Sequence, residues 1–281
     1  MSQPTQIEGT QGQGQGQQSL TIRALKYLMG KRGDASLTPG DLDKLNIKLT
    51  GLDLDNGMPE DGGPKLLELA PFDEINDIAT LIKFAEHDDT LVKLTEHDAV
   101  YSIGEYTCGN WHDARFLGNF FLRLLNSTPY EGQPILIESS PWIRSKGNTL
   151  QYVTTSRIFW RTSFCLHLRD SSRQDGVYFL AIDDLLKDNS LHPSEIWCIL
   201  RNAFSRLKQG KQFIAQKSPA TVVSASGRSL RVVQGYVDED NDCIGVRKSP
   251  IIVVEGDKEQ NWENLMKIAC WFLGSPIKGT F

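Results

Sequence analysis

Two sets of residues in this sequence have types and spacings that could do chemistry. The first is the stretch S-R-I-F-W-R-T-S-F-C-L-H-L-R at 156–169, which holds three arginines, one histidine and three aromatic residues and no acid. If the stretch is a β-strand, alternate residues share a face. Arg157, Phe159, Arg161, His167 and Arg169 then lie on one side, and Ile158, Trp160, Phe164, Leu166 and Leu168 on an apolar one. Guanidiniums beside an aromatic ring suit phosphate contacts combined with base stacking. A β-bulge in so long a run would shift the parity partway. The competing reading is a half-buried sheet whose arginines only keep one face wet.

The second set is Cys108, His167 and Asp183. Cys108 lies in T-C-G-N-W-H-D-A-R-F-L, just before an expected helix N-terminus. There, unpaired N–H groups and the helix dipole can lower a thiol pKa and hold an oxyanion. His167 lies on an expected strand, and Asp183 ends the next one, V-Y-F-L-A-I-D-D. The order Cys, His, Asp resembles the layout of papain-like and transglutaminase-like enzymes, although no Q-x-x-x-C-W or C-G-S-C-W run surrounds the cysteine. That resemblance implies a cysteine-dependent acyl hydrolase or transferase. The bland alternative is a buried thiol, a strand histidine and an acid that caps the segment after its strand.

Nothing else carries a chemical signature. His112 lies four residues from Cys108, but the sequence holds no second ligand pair of matching spacing, so no metal site is expected. The phosphate-loop patterns G-x-G-x-x-G and G-x-x-x-x-G-K-[ST] are absent, and no cofactor is expected. The acidic runs 86–89 and 238–242 read as solvated turns, and 238–242 lacks the glycine and closing glutamate of a calcium loop.

The charge distribution explains the basic stretch in part. The whole chain has a net charge of −5. Residues 1–138 carry 11 basic and 21 acidic side chains, residues 139–237 carry 14 and 6, and residues 238–281 carry 5 and 8. The small total therefore hides a basic middle between two acidic ends. Arg201, Lys208, Lys211, Arg228 and Arg231 lie in 201–237, which contains no acid. Such asymmetry points to a polyanion, an anionic surface or an acidic partner without choosing among them.

The elements that must position these groups emerge from periodicity and punctuation. Residues 1–18 end in Q-G-Q-G-Q-G-Q-Q and read as a disordered tail. Residues 19–130 form an acidic, mainly helical part. Within it, S-L-T-I-R-A-L-K-Y-L-M-G-K-R-G reads as a helix with a glycine stop, and Thr38-Pro39 opens another. A helix is expected over 73–86, and a further one after Asn110 as N-cap. Residues 131–281 form a basic, mainly antiparallel sheet with helices near 193–209 and 260–273. The two parts are either separate or one continuous domain.

The expected class is α+β. The five cysteines are odd in number and widely spaced, which favours buried thiols in a reducing compartment. No apolar run reaches the roughly 20 residues of a membrane helix, and no secretory leader is visible. The expectation is an intracellular, cytoplasmic or nuclear protein that binds rather than catalyses. Its ligand would be nucleic acid or another polyanion, held by Arg157, Phe159, Arg161, Arg169, Arg201, Lys208, Lys211, Arg228 and Arg231. Cysteine catalysis, and a protein-binding, self-associating or membrane-active module, are the alternatives.

Overall fold

The computed structural model of the chain describes residues 19–81, 110–127, 135–145, 150–153, 158–170, 175–207, 217–255 and 258–277. The Gln/Gly-rich tail, Cys108, Arg157, Lys208 and Lys211 lie outside them. The class is α+β.

Helix α1 (Leu20–Met29) runs to Gly30, and α2 (Pro39–Lys44) opens on Thr38, whose side chain and that of Asp41 form a capping box. Strands β1 (Ile47–Gly51) and β2 (Leu67–Glu68) come next, then α3 (Phe72–Leu81) and α4 (Asn110–Leu125). Asn110 is the first residue of α4 and not its cap, and its side chain donates to the Asp183 carbonyl at 3.0 Å. The middle of the chain supplies α5 (Leu136–Ser139), β3 (Trp142–Arg144), β4 (Gln151–Val153), β5 (Ile158–Leu168) and β6 (Gly176–Ile182). It continues through α6 (Pro193–Leu207), β7 (Ala220–Ser226), β8 (Ser229–Asp238), β9 (Cys243–Lys248) and β10 (Ile252–Val253). It ends with α7 (Lys258–Leu273) and β11 (Ser275–Pro276).

Among the described residues, nine strands form one sheet in the order β1-β9-β8-β7-β6-β5-β3, with β4 also on β5 and β10 on β8. The sheet is mixed, so the expectation of a mainly antiparallel sheet is met only in part. β1 runs parallel to β9 and β6 parallel to β7, while the β5–β6, β7–β8 and β8–β9 pairs are antiparallel. The N-terminal part is likewise not only helical, since it supplies β1 to this sheet.

Neither face of the sheet centre is wet. Every residue of β6, G-V-Y-F-L-A-I, is buried, as expected of a strand covered on both sides. One face packs on α3, α4 and α7 through Phe120, Phe121, Phe164, Phe179, Trp271 and Phe272. Their rings meet as close pairs, such as Phe164 stacked on Phe179 at 5.6 Å. The other face packs on α1 and α6 through Leu28, Tyr178, Leu180, Ile196 and Ile199. Among the described residues, no helix is long and apolar enough to cross a membrane.

A bulge breaks the single parity expected for β5. Thr162 pairs with Leu180 and Phe164 with Phe179, so Ser163 is the extra residue. Before it, Trp160 faces α1 and α6; after it, Cys165 does, and Phe164 and Leu166 join the opposite core. Arg161, opposite Ala181, and His167, opposite Gly176, therefore point to different faces.

Candidate functional site

The arginine-rich strip does not converge in the structure. Arg161 is exposed on the α4 side of the sheet, and Phe159 packs against the α1–α6 core. Arg169 is exposed but docked. Its Nη2 donates to the Ile137 and Glu138 carbonyls at 3.1 and 3.2 Å, closing the C-terminal end of α5. The Arg201 guanidinium lies 5.8 Å from the ring of Phe204 on the same helix. Arg228 lies 3.9 Å from Asp113, so acid from the N-terminal part reaches this basic region.

Arg231 belongs to the core and not to a surface. It is 1% exposed, and its Nε and Nη2 donate to the two carboxylate oxygens of Glu195 at 2.8 and 2.6 Å. Its Nη1 donates to the carbonyls of Lys187 and Ser190, both at 2.8 Å. Alternation places this residue inward on β8 because α6 covers that face. Burial would raise the Glu195 carboxyl, but the charge and hydrogen bonds of Arg231 outweigh it and hold it below its ordinary range.

The Cys–His–Asp layout is not assembled from the residues described. His167 pairs with Gly176 at one end of β6, whereas the Asp183 amide bonds the Phe159 carbonyl at the other. At the usual strand rise of ~3.3 Å per residue the two are roughly 20 Å apart. His167 instead meets Cys165, with Nε2 3.4 Å from Sγ. Burial pushes that thiol up to about 12 and lowers the imidazole. Burial therefore disfavours both the thiolate and the imidazolium that a catalytic pair would need. Cys198, Cys243 and Cys270 are also buried free thiols.

A different cluster is built at the far end of β8 and β9. Along β8 the face that holds Leu230 and Val232 in the α4–α7 core changes to Gln234, Tyr236 and Asp238. Strand register extends this polar end sideways. Thr50 of β1 pairs with Arg247 of β9, Arg247 with Gln234 of β8, and Gln234 with Thr221 of β7. Paired residues point to the same side, so the four make one polar row. The next row runs from Lys48 over Gly245 to Tyr236, and the last pairs Cys243 with Asp238. Gly245 is required here, because a Cβ would come within 2.5 Å of the Tyr236 ring.

A cavity of about 320 Å³ lies over these rows, lined by Lys48, Thr50, Asp61, Tyr236, Asp238, Asn241, Gly245 and Arg247 among others. On one side Lys217 lies 2.6 Å from Asp238 and 5.2 Å from the ring of Tyr236. Burial alone would raise Asp238, but hydrogen bonds from Asn241 and Lys217 hold it below its ordinary range. On the other side stands Arg247, only 4% exposed. Its Nη1 donates to the Pro64 carbonyl at 2.7 Å, and among the described residues no second hydrogen bond or ion pair engages the guanidinium. The Nε–Nη2 edge of the fork is thus unbonded. Beside it, the Thr50 Oγ1 and Gln234 Oε1 atoms are buried without a hydrogen-bond partner.

The approach to Arg247 is shaped by Gly63. A Cβ there would lie 2.8 Å from Arg247 Nη2 and 2.9 Å from Asp61 Oδ1, so both groups border one small space. Asp61 accepts from the Gly63 amide at 2.9 Å.

A second cavity of about 730 Å³ opens on the other side of β1, lined by Leu49, Thr50, Gly51, Glu60, Asp61, Asp188, Asn189, Lys248 and Pro250. Thr50 and Asp61 line both cavities.

Arg247, Lys48 and Tyr236 are not among the residues that the sequence singles out for binding. The sequence holds one usable signal, the switch from apolar to polar at alternate positions of L-R-V-V-Q-G-Y-V-D. Compared with known proteins, the chain matches no protein-family model and no curated protein.

Proposed function

We propose that this is a non-catalytic binding protein that holds an anionic group of its ligand on Arg247. The charge map leads to the expectation of nucleic acid or another polyanion, and this reading keeps from it only the negative charge of the ligand. The element proposed to hold it is the polar end of β8 and β9 and not the arginines of β5. The observation that carries the reading is an arginine 4% exposed that lines a cavity, its guanidinium anchored by one carbonyl and, among the described residues, otherwise unbonded. A buried charge without a partner is costly, and the planar Nε–Nη2 edge fits a carboxylate or phosphate with two parallel hydrogen bonds. Lys48 in the cavity lining adds a second positive charge.

The contrast with Arg231 supports this. Both arginines are buried on neighbouring strands, yet one is paired with Glu195 while the other faces space. The test is calorimetric titration with ethyl phosphate and with hexanoate. The full chain should bind at least one of them, and Arg247→Gln should weaken that binding by about tenfold or more, the value of charge-assisted hydrogen bonds. Arg247→Lys, which keeps the charge but loses the fork, should fall between. Unchanged binding in a folded Arg247→Gln variant would defeat the proposal.

A further inference from the structure

We infer that the ligand is a small zwitterion, its anionic group on Arg247 and an ammonium group among Asp61, Glu60 and Asp188. The inference rests on the anion-binding reading above and adds the opposite charge. Thr50 and Asp61 line both cavities, so the basic lining at Arg247 and the acidic lining of the larger space are neighbours across the edge strand β1.

The larger space carries more acid than base. Glu60, Asp61 and Asp188 line it, and among the described residues none of the three has a cation within ion-pair distance. Among those residues Asp61 accepts only from the Gly63 amide and the Asp188 carboxylate only from the Ile251 amide. Lys248, the cation of that lining, donates its amine to the backbone carbonyl of Asp188, and its charge acts at longer range on Asp188 and Glu60. Between the two charged ends, Thr50 Oγ1 is buried without a hydrogen-bond partner. A hydroxyl can accept from an ammonium or donate to an anion, so it suits either part of such a molecule.

Asp61 makes the discrimination sharp. It borders the same space as Arg247 Nη2, so an anion alone meets a repelling carboxylate as well as the guanidinium. A ligand that brings its own positive charge neutralises Asp61 and keeps the attraction of Arg247. Like-charge juxtaposition against the wrong partner is a common source of specificity.

The experiment is calorimetric titration of the full chain with two pairs matched except for the amine: O-phosphoethanolamine against ethyl phosphate, and 6-aminohexanoate against hexanoate. In at least one pair the amine-bearing member should bind about tenfold tighter. The exposed pair Glu60→Gln/Asp61→Asn should abolish that preference and, by removing the repelling carboxylate beside Arg247, tighten ethyl phosphate binding severalfold. Equal affinities within both pairs, or a preference that survives in the double variant, would overturn the zwitterion. The anion reading would still stand if ethyl phosphate binding depends on Arg247. Binding of every probe that ignores Arg247→Gln, or no binding of any probe, would remove both.

Discussion

Arg231 Nη2 lies 2.6 Å from Glu195 Oε2, with the two side chains 1% and 0% exposed. This pair ties β8 to the first turn of α6, and the Lys187 and Ser190 carbonyls satisfy the remaining guanidinium nitrogen. Removing one partner leaves a buried charge. Arg231→Met should therefore cost about 3–5 kcal/mol, while Arg231→Met with Glu195→Leu should cost far less. Urea unfolding of the two variants decides this. Equal losses would mean that the pair is not acting as a unit.

Stability should fall on mild acidification because of His192. The residue precedes Pro193, its Nδ1 accepts from the Ser194 amide at 3.2 Å, and its amide donates to Glu195 at 2.7 Å. It thus caps α6. Burial holds the imidazole down at about 4, against an ordinary value of about 6.5. Between those values the unfolded chain binds the proton and the folded chain does not. The contribution is complete above about pH 6.5 and is lost as pH falls toward 4, at up to ~1.4 kcal/mol per pH unit. His192→Asn keeps a capping acceptor and should flatten the slope in that window. Urea midpoints at a series of pH values are the check. Glu195, Asp238 and Glu239 are held below the ordinary carboxylate range, so what they add is lost only below about pH 4.

Helix α1 is held at its N-terminus by a residue far away in sequence. Glu239 accepts from the Leu20 and Thr21 amides at 2.7 and 3.0 Å and from the Ser19 and Thr21 hydroxyls at 2.6 and 2.7 Å. A carboxylate there satisfies otherwise orphaned amides and meets the positive end of the helix. Glu239→Ala should cost about 1 kcal/mol and speed amide exchange selectively in residues 20–29. Uniform acceleration across the sheet would argue against a local latch.

The bulge at Ser163 is open to a direct test. It lets Trp160 serve one core and Phe164 the other, on opposite sides of a register shift. Deleting Ser163 joins Thr162, opposite Leu180, directly to Phe164, opposite Phe179, so every flanking side chain keeps its own core and the ladder becomes regular. The variant should fold and lose no more than about 2 kcal/mol in urea unfolding. Failure to fold, or a loss above about 4 kcal/mol, would show that the bulge itself is needed.

Lys217 and Asp238 form the paired side of the proposed site, 2.6 Å apart. Asp238→Asn removes a negative charge and releases the lysine. Affinity for ethyl phosphate should rise severalfold, and folding stability should fall by about 1 kcal/mol. Lower anion affinity in this variant would place the anion away from Tyr236 and Asp238.

Much of the local structure is legible in the sequence because its causes are local. The glycine after Met29, Thr38-Pro39, Pro193 and the apolar stripe from Trp262 to Leu273 each mark a helix through capping, fixed φ or 3.6-residue spacing, and each helix is present. The run V-Y-F-L-A-I reads as a strand from its β-branched and aromatic content, and it is one.

What surrounds each element was decided only by the tertiary structure. An arginine at an alternating position reads the same whether a helix or water covers its face. Arg231 therefore reads as surface in the sequence, and the cover of α6 makes it core. Parity along β5 is a sound rule that a one-residue insertion reverses. The proposed site lies further still from sequence reasoning. Thr50, Thr221, Gln234 and Arg247 are scattered along the chain, and each is an ordinary polar strand residue. Strand register alone brings them into one row, and the end of the helical cover leaves the Thr50 and Arg247 end of that row lining a cavity.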